Sequence, residues 1–408
     1  MARGRGSLSE VAAPLELADA QTRLLASIAP LAAESVPVAD ALGRCLAEPL
    51  FARRTQPAAD LSAMDGYALR LGEAGPWRLV GESAAGHPFA GVVGPGEAVR
   101  ISTGALMPDG ADAVLLQENA ARDGDTLSLN GEGEPAERHI RRAGFDFRLG
   151  DTLLPAGARI GAGQLALAIA AGNAQLAVHR RPSVAVLDSG DELADDPADL
   201  APHRIPASNG AMLVAMCAGL TRAIRRIGPV ADSLEALAGA LERAGDTDVI
   251  VTSGGASVGD HDLVRPALEA WGARIDFWRV AMRPGKPLLV ARKGGQIVLG
   301  LPGNPVSSYV TAFMFLLPLL RALGGDGNPL PRPVVLPAGA DLPAAGPRRE
   351  FMRARVAVGT VTPLAQQDSS ALRSLALANA LMERPANAAQ TKAGTPVPAY
   401  LLENGGIG

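Results

Sequence analysis

Apolar residues recur at helical spacing from residue 15 to residue 31, with Asp19 and Gln21 on the opposite face. A second helical stretch is expected from residue 38 to Pro49. Between about 50 and 149 the pattern changes. Short apolar runs such as Trp77-Arg78-Leu79-Val80 and Ala113-Val114-Leu115-Leu116 are separated by Gly, Pro and Asp, which predicts a small β-rich domain. Residues 150–178 return to a helix rich in Ala and Leu over 163–171, so the β segment reads as an insertion between two halves of a helical unit. From Arg180-Arg181-Pro182 onward, strands at 184–187, 223–227 and 248–252 alternate with helices at 209–217 and 232–244. The second helix has Asp232 or Ser233 at its start and Glu235 in its first turn. Strands at 275–281, 288–292 and 296–299 follow, then a helix after Pro305. Such alternation predicts a mostly parallel sheet wrapped by helices. The most apolar helix candidate, 310–320, is too short to span a bilayer and is interrupted by Pro318. Gly324-Gly325-Asp326-Gly327-Asn328-Pro329 has linker composition. The alternating run Arg353-Ala354-Arg355-Val356-Ala357-Val358 beyond it predicts a final small β domain.

At 408 residues the chain is too long for one core, and two to four domains are expected. With 48% hydrophobic and 20% charged residues it has a globular composition, and with 3% aromatic residues it has few platforms for stacking bases. A net charge of -4 argues against nucleic acid or an anionic membrane as the main partner. The N-terminal MARGRGSLSE lacks an apolar stretch behind its arginines, so no signal peptide is expected. Cys45 and Cys217 form no CxxC pair, and two buried thiols in a reducing cytoplasm are expected.

Ligands of an open α/β sheet bind outside the carboxyl ends of its strands. Three loops leave such ends: Asp188-Ser189-Gly190-Asp191-Glu192, residues 253–262 (SGGASVGDHD), and Leu301-Pro302-Gly303-Asn304-Pro305-Val306-Ser307-Ser308. Glycines in the second loop let backbone N–H groups converge on a phosphate or pterin edge, and Asp260 and Asp262 suit a hard cation. Taken alone, the loop is equally a glycine turn with solvated aspartates. Arg279, Arg283 and Lys286 gather around a Pro-Gly turn able to hold a doubly charged oxyanion, or form a basic surface strand. The 62–68 and 101–104 stretches place Asp65, and Ser102 with Thr103, in turns that are structural when each is judged alone.

The order of these motifs resembles the MoeA family, which includes the E domain of gephyrin and of the plant molybdenum insertases. The matching stretches are LSAMDGYAL at 61–69, ISTGALMPDGADAVLLQE at 101–118, RRAGFDFRLGDTLLPAG at 141–157, DSGDEL at 188–193, SGGASVGDHD at 253–262, MRPGKP at 282–287 and LPGNPVSS at 301–308. The resemblance implies an α/β plus β, multidomain, elongated subunit in a homodimer. Its parts would be a helical linker domain at 11–49 and 150–179, an inserted β-rich domain at 50–149, a MogA-like α/β molybdopterin-binding domain at 180–325 and a C-terminal β barrel at 326–408. The implied activity is insertion of molybdenum from molybdate into adenylylated molybdopterin, with Mg²⁺-dependent release of AMP.

By matching motif positions, Asp232 and Asp262 would handle Mg²⁺, and Glu192 and Asp65 would organise the adenylate and its cleavage, Asp65 from across the dimer. Thr103, Asp146, Ser189, Gly254, Gly255, Ser257, Gly259, Pro302, Gly303, Asn304 and Pro305 would contact the pterin nucleotide. Arg283, Lys286, Ser307, Arg353 and Ser369 would surround molybdate. A MogA-type adenylyltransferase and molybdoenzyme maturation proteins are implied partners, and the cytoplasm the implied location. The family commonly has Thr at Ser189, a residue other than Asp at Asp188, Lys at Arg283 and Val at Ala256. Two other readings are an adenylyltransferase of the MogA kind, whose loop normally reads TGGTG, and an inactive scaffold that binds peptides. The carboxylates Asp65, Asp232 and Asp262 argue against the scaffold.

Overall fold

Of the helical run expected over 15–31, only Leu17–Leu25 (α1) is helical in the computed structural model, which describes residues 13–131, 133–199, 201–254 and 263–402. Pro30 disfavours helix before it, and the chain turns so that the Leu31 N–H donates to the Leu323 carbonyl at 2.8 Å. The chain divides into two compact units. Ser35–Leu42 and Leu46–Ala177 form one; the described residues up to Glu34, Gly43–Cys45 and those from Val178 form the other.

The first unit is built on a six-stranded sheet. Its strands are β1 (Gly66–Leu69), β2 (Trp77–Ser83), β3 (Glu97–Ile101), β4 (Ala113–Leu116), β5 (Ala120–Asp123) and β6 (Thr126–Leu129), in the order β4-β1-β3-β2-β6-β5. Only β2 and β3 run parallel. Residues 38–49 are not the expected helix. A single 3₁₀ turn, Val38–Asp40, is followed by irregular chain, because Gly43 takes φ +74° and Pro37 fixes the entry. In the flanking segment 150–179 the only α-helix is α2 (Ala162–Ala170), set between strand segments Thr152–Leu154 and Gln175–His179. The Ala- and Leu-rich helix expected over 163–171 is therefore present as α2, and the rest of the segment is strand and turn.

In the second unit the strands are β7 (Ser183–Ser189), β8 (Ala223–Val230), β9 (Val249–Ser253), β10 (Arg274–Arg279), β11 (Met282–Arg283), β12 (Pro287–Lys293) and β13 (Gln296–Leu301). All but β11 form one sheet in the order β8-β7-β9-β13-β12-β10. The first four are parallel, and β12 and β10 are antiparallel additions at one edge. Helices α3 (Ser208–Cys217), α4 (Leu234–Arg243) and α5 (Val264–Ala270) cover the sheet. Successive residues of β7 enter different cores. Val184 and Val186 pack with Leu213, Val310 and Phe315, whereas Ala185 and Leu187 pack with Leu237, Leu241 and Leu268. Burial on both faces is why these strands read as continuous apolar runs. Ser233, not Asp232, caps α4, accepting from the Ala236 N–H at 3.2 Å.

Pro318 does not interrupt the helix after Pro305. The helical path continues from Pro305 to Leu323 through α6 (Pro305–Thr311), a π turn at Ala312–Leu316 and α7 (Leu317–Leu323). The wide turn accommodates the proline ring, and Pro318 has no N–H to offer the Met314 carbonyl four residues earlier. The Gln21 Nε2 of α1 donates to that carbonyl at 2.9 Å. Gln21 is thus buried, not on the solvent face that its polarity suggested. The path is 19 residues long and apolar enough to match a membrane span, but it lies mostly buried against the α/β core.

The C-terminal strands are β14 (Val334–Pro337), β15 (Arg349–Ala357), β16 (Thr360–Pro363), β17 (Ala380–Arg384) and β18 (Pro396–Leu401), with α8 (Leu372–Leu377) between β16 and β17. Their order is β11-β15-β17-β18-β14, with β16 on β15. Strand β11, which lies between two strands of the α/β sheet in sequence, therefore pairs with the C-terminal sheet instead.

The starts of β7 and β9 are tied by Asp248. Its carboxylate accepts two bonds from Arg180, at 2.8 and 3.0 Å, and two from Ser183, N–H and Oγ, both at 2.7 Å. Burial pushes this carboxyl up, but those donors outweigh it and hold the pKa at about 2. The folded value is depressed, so the stabilisation is full above the ordinary carboxyl range and is lost as pH falls towards about 2. Replacing Asp248 by Asn should cost roughly 2 kcal/mol near neutral pH and progressively less on acidification. Denaturant titrations across that range test this, and a pH-independent cost would refute it.

Candidate functional site

Three chain segments leave the carboxyl ends of β7, β9 and β13 at the same end of the sheet, as parallel pairing requires. They wall a cavity of about 840 Å³ that also takes in Ser208 and Asn209 from the start of α3, and Lys286. Ser189, Glu192, Gly254, Pro302, Gly303, Asn304 and Pro305, singled out from sequence, all line it. Gly254 adopts φ +101°, a conformation open to glycine, which lets the chain turn at the sheet end. The remaining loop candidates, Gly255, Ser257, Gly259 and Asp262, lie outside the described residues.

A second cavity, of about 510 Å³, adjoins the first and shares Gly285, Lys286 and Ser307 with it. Arg283, Lys286, Ser307, Arg353 and Ser369 all line it, although they come from β11, the turn after it, α6, β15 and the loop before α8. Gly285 sits at the junction with φ +95°. A Cβ there would lie 2.3 Å from Thr311 Oγ1, so the position admits only glycine. Asn304 Nδ2 donates to Ser369 Oγ at 3.1 Å, and the Val306 N–H to the Ser369 carbonyl at 3.0 Å, fixing the C-terminal loop against the start of α6.

The cations of the smaller cavity differ in how they are held. Arg353 is 1% exposed, and its Nη2 donates to the carbonyls of Gln366 (3.1 Å) and Asp368 (2.9 Å). Its Nε has no hydrogen-bond partner. Burial lowers its pKa, Asp368 raises it and Arg283 lowers it further. Arg283 is exposed and pairs with Glu350 at 3.4 Å. Sequence reasoning missed Glu350 and Arg348, both on the cavity wall. Arg348 Nη1 donates to the Met282 carbonyl at 3.3 Å. The lining then holds four cations, Arg283, Lys286, Arg348 and Arg353, against two carboxylates, Glu350 and Asp368. The difference, four minus two, is two positive charges, which suits a dianion. Only the run Arg348-Arg349-Glu350 could have pointed to these two residues.

In the larger cavity sequence reasoning missed Asn209, whose Nδ2 donates to the Gly303 carbonyl at 2.6 Å; Asp188, read from sequence as the first residue of its loop and a departure from the family pattern, lines the cavity too. Asp188 is 1% exposed, and its Oδ2 accepts from Arg226 Nε at 3.0 Å. Burial raises its pKa against the pull of Arg226 and the Gly210 N–H. A Cβ at Gly210 would lie 1.9 Å from Asp188 Oδ2, so this carboxylate requires glycine on the first turn of α3. The extra acid is therefore an anchor for that helix, paired inside the wall.

Asp232 does not line the larger cavity; it is bonded to Asp191, the neighbour in sequence of the lining residue Glu192. Its N–H donates to Asp191 Oδ1 at 3.0 Å, and the Asp191 N–H reaches Asp232 Oδ2 at 3.4 Å. Burial raises its pKa, the Asp191 N–H lowers it, and the carboxylates of Asp191 and Glu192 raise it again. Among the described residues no group of three acidic, His or Cys side chains forms a ready metal cage.

The other compact unit brings two sequence candidates together. The Thr103 N–H donates to Asp65 Oδ1 at 2.6 Å, and that bond lowers the Asp65 pKa. Asp146 is exposed in a separate turn, where its N–H donates to the Gln56 carbonyl at 3.0 Å. Cys45 and Cys217 are both buried, and burial pushes the Cys217 thiol up to about 12, which removes it as a nucleophile.

Residues 15–172 match the MoeA N-terminal region (domain I and II), 185–322 a family described as "Probable molybdopterin binding domain", and 335–402 the MoeA C-terminal region (domain IV). A protein of Nostoc sp. named molybdopterin molybdenumtransferase is 37% identical over 295 residues, covering 69% of this chain and 67% of that protein. Molybdopterin molybdenumtransferase 2 of Mycobacterium tuberculosis is 35% identical over 386 residues, 90% of this chain and 95% of that one. A crystal structure of the molybdopterin biosynthesis moeA protein from Pyrococcus horikoshii superposes with a TM-score of 0.82 at 25% identity, over 95% of this chain and 100% of that one. With all three regions matched in order and these identities spanning most of the chain, the protein belongs to the MoeA family.

Proposed function

We propose that this chain is a molybdopterin molybdenumtransferase of molybdenum cofactor biosynthesis, which takes adenylylated molybdopterin in the larger cavity and molybdate in the smaller one. The observation that carries the reading is the shared wall of Gly285, Lys286 and Ser307 between a roomy cavity and one with two net positive charges. A dithiolene at that wall would meet molybdate without leaving the protein. An adenylyltransferase of the MogA kind does not account for the N- and C-terminal regions that match MoeA.

On this reading Ser189, Gly254 and the 302–305 turn cradle the pterin nucleotide, with Gly255, Ser257 and Gly259 completing the cradle. Glu192 orients the anhydride. Water adds across the phosphoanhydride to give AMP and the phosphate of molybdopterin; as both dithiolene sulfurs bond to molybdenum, their two protons and one oxygen of molybdate leave as water. Arg353, fixed by carbonyls, gives molybdate a rigid contact, and Arg283, Lys286, Ser307 and Ser369 close around it. Mg²⁺ would be held by Asp232 and Asp262, which fits a cation that needs only one or two carboxylates when phosphates supply other ligands. The repulsion that Asp191 and Glu192 impose on Asp232 supports a cation there. When bound, it neutralises the phosphate oxygens and makes the anhydride a better electrophile. Asp65, with Thr103 and Asp146 on the same unit, would serve the site of the partner subunit in a homodimer. The cytoplasm, a MogA-type adenylyltransferase as supplier and molybdoenzyme maturation proteins as recipients complete the proposal.

AMP release from adenylylated molybdopterin should require a divalent cation, and equal release in excess chelator would remove the metal role. Mixing Asp65→Asn and Asp262→Asn subunits should restore one working site per heterodimer, whereas each parent stays inactive. A mixture as inactive as its parents would rule out a site shared between subunits. Replacing Lys286 by Ala should weaken molybdate binding about ten- to a hundredfold, as loss of one charge-assisted contact of roughly 1.5–3 kcal/mol implies. Arg283→Lys should cost less, because the charge remains. Calorimetry with molybdate and with nucleotide separately decides this, and unchanged molybdate affinity in Lys286→Ala would return the segment to a basic surface strand.

A further inference from the structure

A third cavity, of about 290 Å³, lies where α1 meets the edge of the α/β sheet, with Arg23, Arg274, Asp276 and Arg292 in its wall. It is remote from the site above. Arg292 pairs in register with Ile297 near the start of β13, whereas the catalytic cavity opens beyond Leu301 at the end of that strand. Four residues of strand place the two about 13 Å apart along β13 alone. Parallel pairing of β13 with β9 and β7 puts Arg292 at the amino ends of these strands, opposite the loops that wall the catalytic cavity.

The charges here are unbalanced by design of the register. Arg274 and Arg292 stand directly opposite each other on β10 and β12. Facing like charges destabilise an antiparallel pair. Asp276, two residues along β10 on the same face, is paired to Arg23 at 2.5 Å. Arg292 Nη2 donates to the neutral Ser27 Oγ at 2.6 Å. Among the described residues no carboxylate forms an ion pair with Arg274 or Arg292, so these two positive charges face each other across the strand pair. Burial, and then the facing Arg274, hold the Arg292 guanidinium below its ordinary range against the pull of Asp276.

We propose that this cavity is a second anion site that takes a tetrahedral dianion, phosphate or molybdate, bridged between the facing guanidinium groups of Arg274 and Arg292. Guanidinium forks match such oxyanions bidentately, and a bridging dianion converts the facing repulsion into two attractive contacts. The Ser27 hydroxyl adds a neutral group at the rim.

The experiment uses the full-length protein, titrated with inorganic phosphate and separately with molybdate, and read by melting temperature and calorimetry. Without oxyanion, Arg274→Gln should melt above the parent, because the facing charge is gone. With oxyanion the order should reverse, and the component of binding lost in Arg274→Gln and in Arg292→Gln should weaken about tenfold or more. Whichever oxyanion shows the larger Arg274-dependent shift is the one the site prefers. Oxyanion-dependent stabilisation equal in the parent and in both variants would overturn the proposal. If Arg292→Gln fails to fold, the exposed Arg274→Gln decides alone. Neither residue borders the catalytic cavities, so AMP release and Lys286-dependent molybdate binding should be unchanged in Arg274→Gln. A failure here is therefore separable from a failure of the proposed activity.

Discussion

Two residues of strand pairing hold the candidate site together. After β10 the chain leaves the α/β sheet, and Met282 and Arg283 pair in parallel with Arg349 and Glu350 of the C-terminal sheet before β12 returns. The Ala281 carbonyl accepts from the Arg349 N–H at 3.0 Å, and the Ala281 N–H donates to the Leu15 carbonyl at 2.8 Å, so the excursion is pinned on both sides. Met282 is fully buried beneath it. This crossover sets Arg283 on one side and Lys286 at the junction of the two cavities. It also brings the β15 residues Glu350 and Arg353 to face a turn that belongs to the other sheet. Without the pairing, the basic turn would be a surface loop and Arg353 a buried charge with nothing to face.

Concentrating positive charge in a recess is costly unless backbone dipoles hold it. The protein meets that cost unevenly. Arg353 is deeply buried, and two carbonyls hold its Nη2 without cancelling its charge. Arg283 remains exposed and keeps Glu350 as an exchangeable partner. A fixed cation and an adjustable one suit a site that must bind a dianion and then pass it to the dithiolene, which is the chemistry proposed here. In the neighbouring wall, the Asp188–Arg226 pair solves a different problem, anchoring the first turn of α3 where Gly210 leaves no side chain.

Much of this is legible in the sequence. The strands 184–187 and 248–252 were readable because burial on both faces leaves an uninterrupted apolar run. The three loops after β7, β9 and β13 follow from strand polarity once parallel alternation is recognised. Ser189, Glu192 and the 302–305 turn therefore fell where sequence placed them. Helix extent departs from the local pattern where that pattern meets a tertiary constraint. The 38–49 stretch has helical periodicity but contains Gly43 in a left-handed conformation. Pro318 should have broken a helix, but a π turn absorbs its ring and Gln21, distant in sequence, bonds the carbonyl it leaves.

The sequence by itself determined which residue types are available and in which loops, because strand and helix periods and glycine positions are local properties. It determined the α/β alternation, the β-rich segments, and the motifs by which the MoeA family is identified. Only the tertiary structure decided that Arg283, Lys286, Ser307, Arg353 and Ser369 line one recess, and that Arg348 and Glu350 belong with them. It also decided that Asp188 and Gln21 point inward. The physical reason is that charge balance and burial are sums over neighbours in space. The pairing of β11 with β15 joins segments more than sixty residues apart, and no periodicity along the chain encodes that register.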